Sequence, residues 1–436
     1  CDYCVAGVDM KVLAVGGGGR EHAIVQALRK GEARVFSAMK NRNPGIARAS
    51  EDFKLIKETD VEKVVDFATA SGVEMAVVGP EAPLEAGLVN ELESKGISCV
   101  GPTKEAARIE TSKSFMRDLM SRHGIPGNLD FQVFESFRDA KEYVEGHPGQ
   151  LAVKPVGLTG GKGVRVTGDQ LATDAAVDYI LDAEWHEWVI EERLVGEEFT
   201  VQAFVANGEV RTTPAIQDHK RAYEGDEGPN TGGMGSYSDT SLTLPFMTDA
   251  DYEAAVEVIE AVVDALPEYK GVLYGQFMLG ADGPKVVEFN ARFGDPEAMN
   301  TLPILETPFL EVLTAARDGD DLPELDFSGE ATVCKYAVPD GYPTDPDAGA
   351  KIEVNEETVG DGLLFYASVD AREDGLYTTT SRSFAVVGHA DSIAAAEEIA
   401  EDALAAAGEG FHIRHDIGTA DLVQSRIDHM NELRGE

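Results

Sequence analysis

Residues 11–23 read KVLAVGGGGREHA, an apolar run that stops at four glycines and passes into helix-like sequence. A short apolar run bounded by glycine fits a strand buried on both faces, as strands of a parallel sheet are. The pattern repeats outward. ARVFSA at 33–38, EMAVVG at 74–79 and ISCVG at 97–101 are strand-like, with helix-like stretches to about Lys30 and at 60–70 and 84–95. Such alternation predicts a parallel α/β sheet ending near Glu110. A helix follows at 111–123, with Gly124 and Pro126 as stop signals. Strand-like segments then dominate: LAVKPV at 151–156, GVRVTG at 163–168, WVIEERL at 188–194 and FTVQAFV at 199–205. After a helix at 250–265, GVLYGQFML and KVVEFNARF flank a turn at Ala281-Asp282-Gly283. From Ala331 a mixed segment carries GLLFYASV, SFAVVG and an Ala-rich helix at 391–407. The fold class is therefore α/β and α+β, multidomain. The expected units are an extension at 1–9, then 10–110, 111–193, 194–330 and 331–436.

The length of 436 residues fits two to four domains at roughly 100–200 residues each. Against 37 Lys and Arg stand 79 acidic residues, a net charge of −42. Such a surface repels nucleic acid and anionic membrane. The acids are spread, at 51–52, 249–253, 318–324 and 397–402 among others, so they are not one tail. The hydrophobic share of 43% argues against disorder. A salt-rich, halophilic cytosol is expected, where screening makes the self-repulsion tolerable. No apolar run approaches the ~18 residues that span a bilayer, and no charged-then-apolar leader opens the chain. A cytoplasmic protein is expected. Cys1 and Cys4 form a C-x-x-C without a second pair, so no zinc site or redox role is expected. Cys99 and Cys334 are the other two cysteines.

Six motifs carry chemistry. In GGGGREHA (16–23), glycines before a helix let backbone N–H groups approach a phosphate, and Arg20 and His22 offer charge-assisted contacts. A nicotinamide fold is the rival, but Glu21 stands where its third glycine belongs, and no acid ends the second strand. VVGPEAPL (77–84) places Pro80 and Glu81 at the C-terminal end of a strand, where open α/β sheets bind ligands. A helix-capping acid is the plainer reading of Glu81. KPVGLTGGKGV (154–164) ends a strand in Lys154 and carries Lys162 on a glycine-rich loop; it is not a P-loop. It fits a hairpin lid that excludes water. VIEERLVGEEF (189–199) ends a strand in carboxylates before a turn at Gly196. In QFML (276–279) and VVEFNARFGDPE (286–297), Glu288 and Asn290 share one face of a strand and offer two oxygens, as Mg²⁺ prefers. A three-residue turn at 281–283 would set Gln276 opposite Glu288, and a two-residue turn would face it away. Arg292 continues that face. QDHKRAYEGDEGPNTGGMGSYS (217–238) concentrates Asp218, His219, Lys220 and Arg221 before a glycine-rich loop, which suits a phosphorylated substrate. His219 also reads as a packing residue.

Together with GPTKEAARIETSKSF (101–115) and HIRHDIG (412–418), these motifs occur in an order that resembles the glycinamide ribonucleotide synthetase (phosphoribosylamine–glycine ligase) family of the ATP-grasp superfamily. The resemblance runs from Met10 to HIRHDIG (412–418), nearly the whole chain. One departure is KPVGLTGGKG, where the family more often has KADGLAAGKG; both lysines persist. The resemblance implies an N-terminal α/β substrate domain (10–110), a small ATP-grasp subdomain with the lid (111–193), a large one (194–330) and a C-terminal domain (331–436). It implies the reaction of ATP, glycine and 5-phosphoribosylamine to glycinamide ribonucleotide, ADP and phosphate through glycyl phosphate, in purine biosynthesis. By it, Lys113, Lys154, Gly160, Gly161, Lys162, Gly163, Glu191, Glu192, Leu194 and Glu198 bind ATP. Gln276, Glu288 and Asn290 hold Mg²⁺ or Mn²⁺. Gly18, Arg20, Glu21, Pro80, Glu81, Asp218, Lys220, Arg221, Asn230, Thr231, Gly232, Gly233 and Arg292 line the substrate site. Arg292, Asp218 and Lys154 are the expected catalytic residues. The expected partners are the two small substrates, with no nucleic acid and no membrane, and a monomer. The rivals are a formyl- or carboxyl-transferring ATP-grasp relative, a nicotinamide oxidoreductase and a nucleotide sensor without turnover.

Overall fold

The computed structural model describes residues 10–147, 149–157, 165–167, 173–182 and 187–435. The extension at 1–9 and the loop residues Gly160, Gly161, Lys162 and Gly163 lie outside these. Five strands open the fold: β1 (Lys11–Val15), β2 (Arg34–Met39), β3 (Asp52–Leu55), β4 (Met75–Val78) and β5 (Ser98–Val100). They form a parallel sheet in the order β3-β2-β1-β4-β5. Strand β4 is buried at all four positions and β1 at four of five, as helices on both faces require. The expected helix at 84–95 is instead two, Glu81–Glu85 and Leu88–Ser94, broken at Gly87 in the left-handed region (φ 86°).

The next strands are β6 (Phe131–Phe134), β7 (Leu151–Pro155), β8 (Arg165–Val166) and β9 (Trp188–Glu192), in the antiparallel order β6-β9-β7-β8. A longer hairpin follows, β10 (Glu197–Ala206) and β11 (Glu209–Thr212). Four short strands come after it: β12 (Gln217–Asp218), β13 (Arg221–Tyr223), β14 (Glu227–Asn230) and β15 (Gly235–Ser238). The helix Asp249–Ala265 starts at a capping box between Thr248 and Asp251 and packs on β16 (Gly271–Gly280) and β17 (Gly283–Asn290). Strands β16 and β17 complete the sheet β11-β10-β16-β17. Arg117, fully buried on the helix Lys113–His123, joins the two antiparallel sheets. It donates to Glu191 on β9 at 2.7 Å and to the Val286 carbonyl on β17 at 2.9 Å.

The C-terminal part contributes β18 (Ala331–Pro339), β19 (Lys351–Ile352), β20 (Leu363–Tyr366), β21 (Val369–Arg372), β22 (Gly375–Thr378), β23 (Phe384–Ala390) and β24 (Phe411–His412). Its main sheet runs β12-β15-β18-β23-β20. Strands β12 and β15, expected within the unit 194–330, thus belong to a C-terminal sheet. Gly235 makes this join possible. Its φ is 155°, and a Cβ there would lie 2.2 Å from the Cys334 carbonyl oxygen. Among the described residues no helix is long and apolar enough to cross a membrane. Cys99 and Cys334 are buried free thiols.

Candidate active site

A cleft of about 560 Å³ opens between the two antiparallel sheets, lined by Lys154, Glu191, Leu194, Glu198 and Val287 among others. Strand β7 carries Lys154 to its rim. The Lys154 Nζ lies 2.6 Å from Glu191 Oε2, while Glu191 Oε1 takes Arg117 Nε at 2.7 Å. Burial raises the Glu191 carboxyl, but Lys154 and Arg117 outweigh it and hold it down at about 2. Glu191 therefore anchors Lys154 from within the core. Glu192 also lines the cleft and accepts from the Asp130 backbone at 3.4 Å.

A second cavity of about 300 Å³ adjoins the first, because Asp218 and Lys220 line both. Arg20, Pro80, Glu81, Thr231, Gly232, Glu288, Asn290 and Arg292 also line it, as does Lys113, expected on the ATP side. Arg20 reaches it by donating to the Phe293 carbonyl at 3.0 Å. Arg221 and Asn230 line the first cleft instead.

Glu21 does not line either cavity. It folds back under its own loop, accepting from the Gly18 N–H at 2.6 Å and from Arg20 Nε at 2.6 Å. Its carboxylate fills the space beside Gly16 and Gly79, where a Cβ would lie 2.5 Å and 2.0 Å from its atoms. The glycines at 16 and 79 thus leave room for an acid that clamps two loops. His22 is a core residue, not an anion contact. Burial pushes its pKa down to about 4, and its Nδ1 accepts from the Tyr366 N–H at 2.9 Å.

Gln276 does face Glu288, but by a different route from the expected turn. Gly280 pairs with Gly283, so the turn has two residues and Phe277 pairs with Val286. A bulge between Gln276 and Phe277 then restores the pairing of Gln276 with Glu288 and of Tyr274 with Asn290. The Gln276 amide is engaged: its Nε2 donates to Glu198 Oε2 at 2.7 Å and its Oε1 accepts Lys220 Nζ at 2.6 Å. Among the described residues no group of three or more His, Cys, Asp or Glu side chains could hold a metal. Glu288 and Asn290 remain as a pair of hard oxygen donors on one face, a donor set that fits Mg²⁺ completed by substrate phosphates and water. Burial raises the Glu288 carboxyl, and Lys220, Lys113 and Lys154 together bring it below the ordinary range.

Six residues of the second cavity lie outside the expected set: Glu110, Tyr274, Gly294, Asp295, Glu297 and Arg382. Glu110 takes Arg292 Nη2 at 2.9 Å and the Ala291 N–H at 2.7 Å. Glu81 stands 3.5 Å from Arg292 Nε, so two carboxylates share one guanidinium. Burial pushes Glu110 up to about 7, which Arg292 opposes and Glu81 reinforces. Burial and Glu297 raise Asp218, whose buried Oδ1 makes no hydrogen bond. Lys220, facing Glu198, Glu288, Asp218 and Glu297, is held above its ordinary value despite burial. Arg382, from the C-terminal part, donates to the Gly232 carbonyl at 2.6 Å, to Asp295 O at 3.0 Å, and pairs with Asp295 Oδ2 at 3.1 Å. It also stacks over Tyr336 at 4.4 Å. Glu110 stands within the quoted 101–115 motif and Asp295 and Glu297 within the 286–297 motif. Arg382 had no such signal.

The chain matches three family models in sequence. They are Phosphoribosylglycinamide synthetase, N domain (residues 10–110), ATP-grasp (A) domain (111–298) and C domain (332–420). A phosphoribosylamine–glycine ligase of Methanosarcina barkeri is 52% identical over 98% of this chain and 100% of its own length. One of Methanothermobacter thermautotrophicus is 52% identical with the same coverage. The crystal structure of phosphoribosylamine–glycine ligase from Thermotoga maritima superposes with a TM-score of 0.79 at 26% identity, covering 93% of this chain and 100% of that one. A biotin carboxylase–ATP complex from Campylobacter jejuni, at 13% identity and TM-score 0.74 over 98% of this chain and all of its own, shares the fold. With family models matching most of the chain between residues 10 and 420, and half of all residues identical to full-length relatives, the chain belongs to the phosphoribosylglycinamide synthetase family, whose ligases have the ATP-grasp fold.

Proposed function

We propose that this chain joins glycine to 5-phosphoribosylamine at the expense of ATP, giving glycinamide ribonucleotide, ADP and phosphate. The observation that carries the reading is the shared wall: Asp218 and Lys220 line both the nucleotide cleft and the second cavity. A two-step ligation needs that adjacency. In the first step a glycine carboxylate oxygen attacks the γ-phosphorus, the bond to the β-bridging oxygen breaks, and ADP leaves. In the second the ribosylamine nitrogen attacks the acyl carbon, inorganic phosphate leaves, and the nitrogen gives up a proton. No protein nucleophile is required; positioning and charge neutralisation supply the catalysis.

Lys154 and Lys113 face the transferring phosphates, and Leu194, Glu192 and Glu198 the adenosine. Lys162 and Gly160, Gly161 and Gly163 remain the proposed lid. A divalent cation on Glu288 and Asn290 would neutralise phosphate charge. Arg292 holds the glycyl carboxylate, and the Asp218 Oδ1 without a partner accepts from an amine. Arg20, Pro80, Glu81, Thr231 and Gly232 receive the phosphoribosyl group. The unit boundaries expected from the sequence are retained, except that residues 217–218 and 235–238 join the C-terminal sheet. The charge of −42 supports a cytoplasmic protein of a salt-rich cell that avoids nucleic acid and membrane. Sedimentation at working concentration tests the monomer, a faster species than one chain counting against it. The reaction itself is tested by ADP release with Mg²⁺, glycine and freshly made phosphoribosylamine. Release that ignores glycine would defeat the reading.

A further inference from the structure

The helix Ala420–Arg434 starts where the family match ends, at residue 420, yet two of its side chains line the nucleotide cleft. They are Arg426 and His429, three residues apart and so on one helix face. Both meet Glu197, a buried carboxylate at the start of β10. His429 Nδ1 lies 2.6 Å from its Oε1, and Arg426 Nε lies 3.4 Å from its Oε2.

The contacts continue inward without a gap. Gln217 Nε2 donates to Glu197 Oε2 at 3.1 Å and to the Glu198 carbonyl at 3.0 Å. The Tyr237 hydroxyl donates to Gln217 Oε1 at 2.7 Å, which fixes which way that amide points. The Glu198 carboxylate takes Gln276 Nε2 at 2.7 Å, and Gln276 Oε1 takes Lys220 Nζ at 2.6 Å. The chain of contacts thus runs from the last helix to the wall between the cavities. Arg426 also pairs with Asp226, which Arg414 holds from the other side at 2.8 Å. Asp226 lines the same cleft with a left-handed backbone (φ 57°), uncommon for a residue with a side chain. At its far end the helix is tied down by Arg434 to Asp251 at 2.7 Å.

We infer that Arg426 and His429 are positioning residues for the nucleotide half of the reaction, acting through Glu197 and Gln217 on Glu198 and Lys220. The inference rests on the ligase reading above. It differs from a purely structural latch, which would stabilise the C-terminal part and leave nucleotide affinity alone.

The experiment measures kcat, KM for ATP and KM for glycine in wild type, Arg426→Met, Arg426→Lys, His429→Leu and His429→Gln, with melting curves. Equilibrium binding of ATP with Mg²⁺, without glycine, is measured beside them. Arg426→Met should raise KM for ATP about tenfold, through loss of the ion pair with Glu197, and Arg426→Lys should recover most of it. KM for glycine should stay within about twofold, because the contacts lead to the nucleotide side. His429→Leu, at a half-exposed position, should give the same split with a smaller change, and His429→Gln should restore part of it. A lower melting temperature with unchanged KM for ATP and unchanged kcat in both non-conservative variants overturns the inference. If wild type itself shows no glycine-dependent ADP release, the ligase reading falls. ATP binding then still decides, since wild-type affinity in Arg426→Met would overturn the positioning role by itself.

Discussion

Glu191 in the nucleotide cleft and Glu110 in the second cavity are both buried glutamates held by an arginine, and their environments push them in opposite directions. Glu191 has a cation on each oxygen, Arg117 at 2.7 Å and Lys154 at 2.6 Å, and is held at about 2. Glu110 has Arg292 at 2.9 Å, but that guanidinium also serves Glu81, and Glu110 rises to about 7. Burial is comparable, so the count of cations decides the sign. The nucleotide side is neutralised from within. The second cavity is left rich in carboxylates, which suits a ligand that brings its own amine. Its pairs also cross between distant parts of the chain: Arg292 with Glu81 and Glu110, Arg382 with Asp295. The first cleft is lined by the two antiparallel sheets together with the last helix, and the second cavity by residues of the N-terminal, central and C-terminal parts.

The largest effect should come at the face between the two regions. Glu288→Ala should lower kcat about 10³-fold or more, with circular dichroism unchanged. Near-normal ADP release would remove the proposed metal role. Next, Arg292→Met leaves Glu81 and Glu110 facing each other without their cation. It should cost about 3–5 kcal/mol in denaturant unfolding as well as activity. Lys154→Met leaves Glu191 its Arg117, so it should cost only about 1–3 kcal/mol while ATP affinity falls. Equal stability losses would break the comparison.

A finer test uses pH. Because Glu191 sits below its ordinary value, its stabilising contribution is present above that value and is lost as pH falls through about 2. Glu110 is raised, so its contribution is present in acid and is lost as pH rises through about 7. Glu110→Gln should therefore raise the melting temperature at pH 8 and leave it nearly unchanged at pH 4. Glu191→Gln should lower it at pH 8. The same direction for both at pH 8 would contradict the cation-count explanation. The smallest effect concerns the exposed acids that both regions share. Dialysis into dilute buffer should loosen a chain of net charge −42, and full retained structure there would sink the halophile reading.

The parallel sheet was legible because β1 and β4 are buried on both faces and read as unbroken apolar runs between turn signals. The short strands β12 and β15 were not, since QD and GSYS carry no periodicity and β18, which joins β15 to the sheet, lies about a hundred residues on. Gln276 facing Glu288 was expected from loop length, while a bulge achieves it with a shorter turn. His22 showed its titratable side chain in the sequence, but not the core that keeps it neutral. Glu21 was expected at the substrate site only through the resemblance; its carboxylate occupies the room left by Gly16 and Gly79, which no sequence pattern announced. Arg382 was invisible, because only docking of the C-terminal part brings it to Gly232 and Asp295.

The most direct measurement is ADP release in high-salt buffer with Mg²⁺, glycine and freshly generated phosphoribosylamine, omitting each in turn. The account predicts release that requires both glycine and phosphoribosylamine. Sustained release without glycine, or none from folded protein that binds ATP, would contradict it.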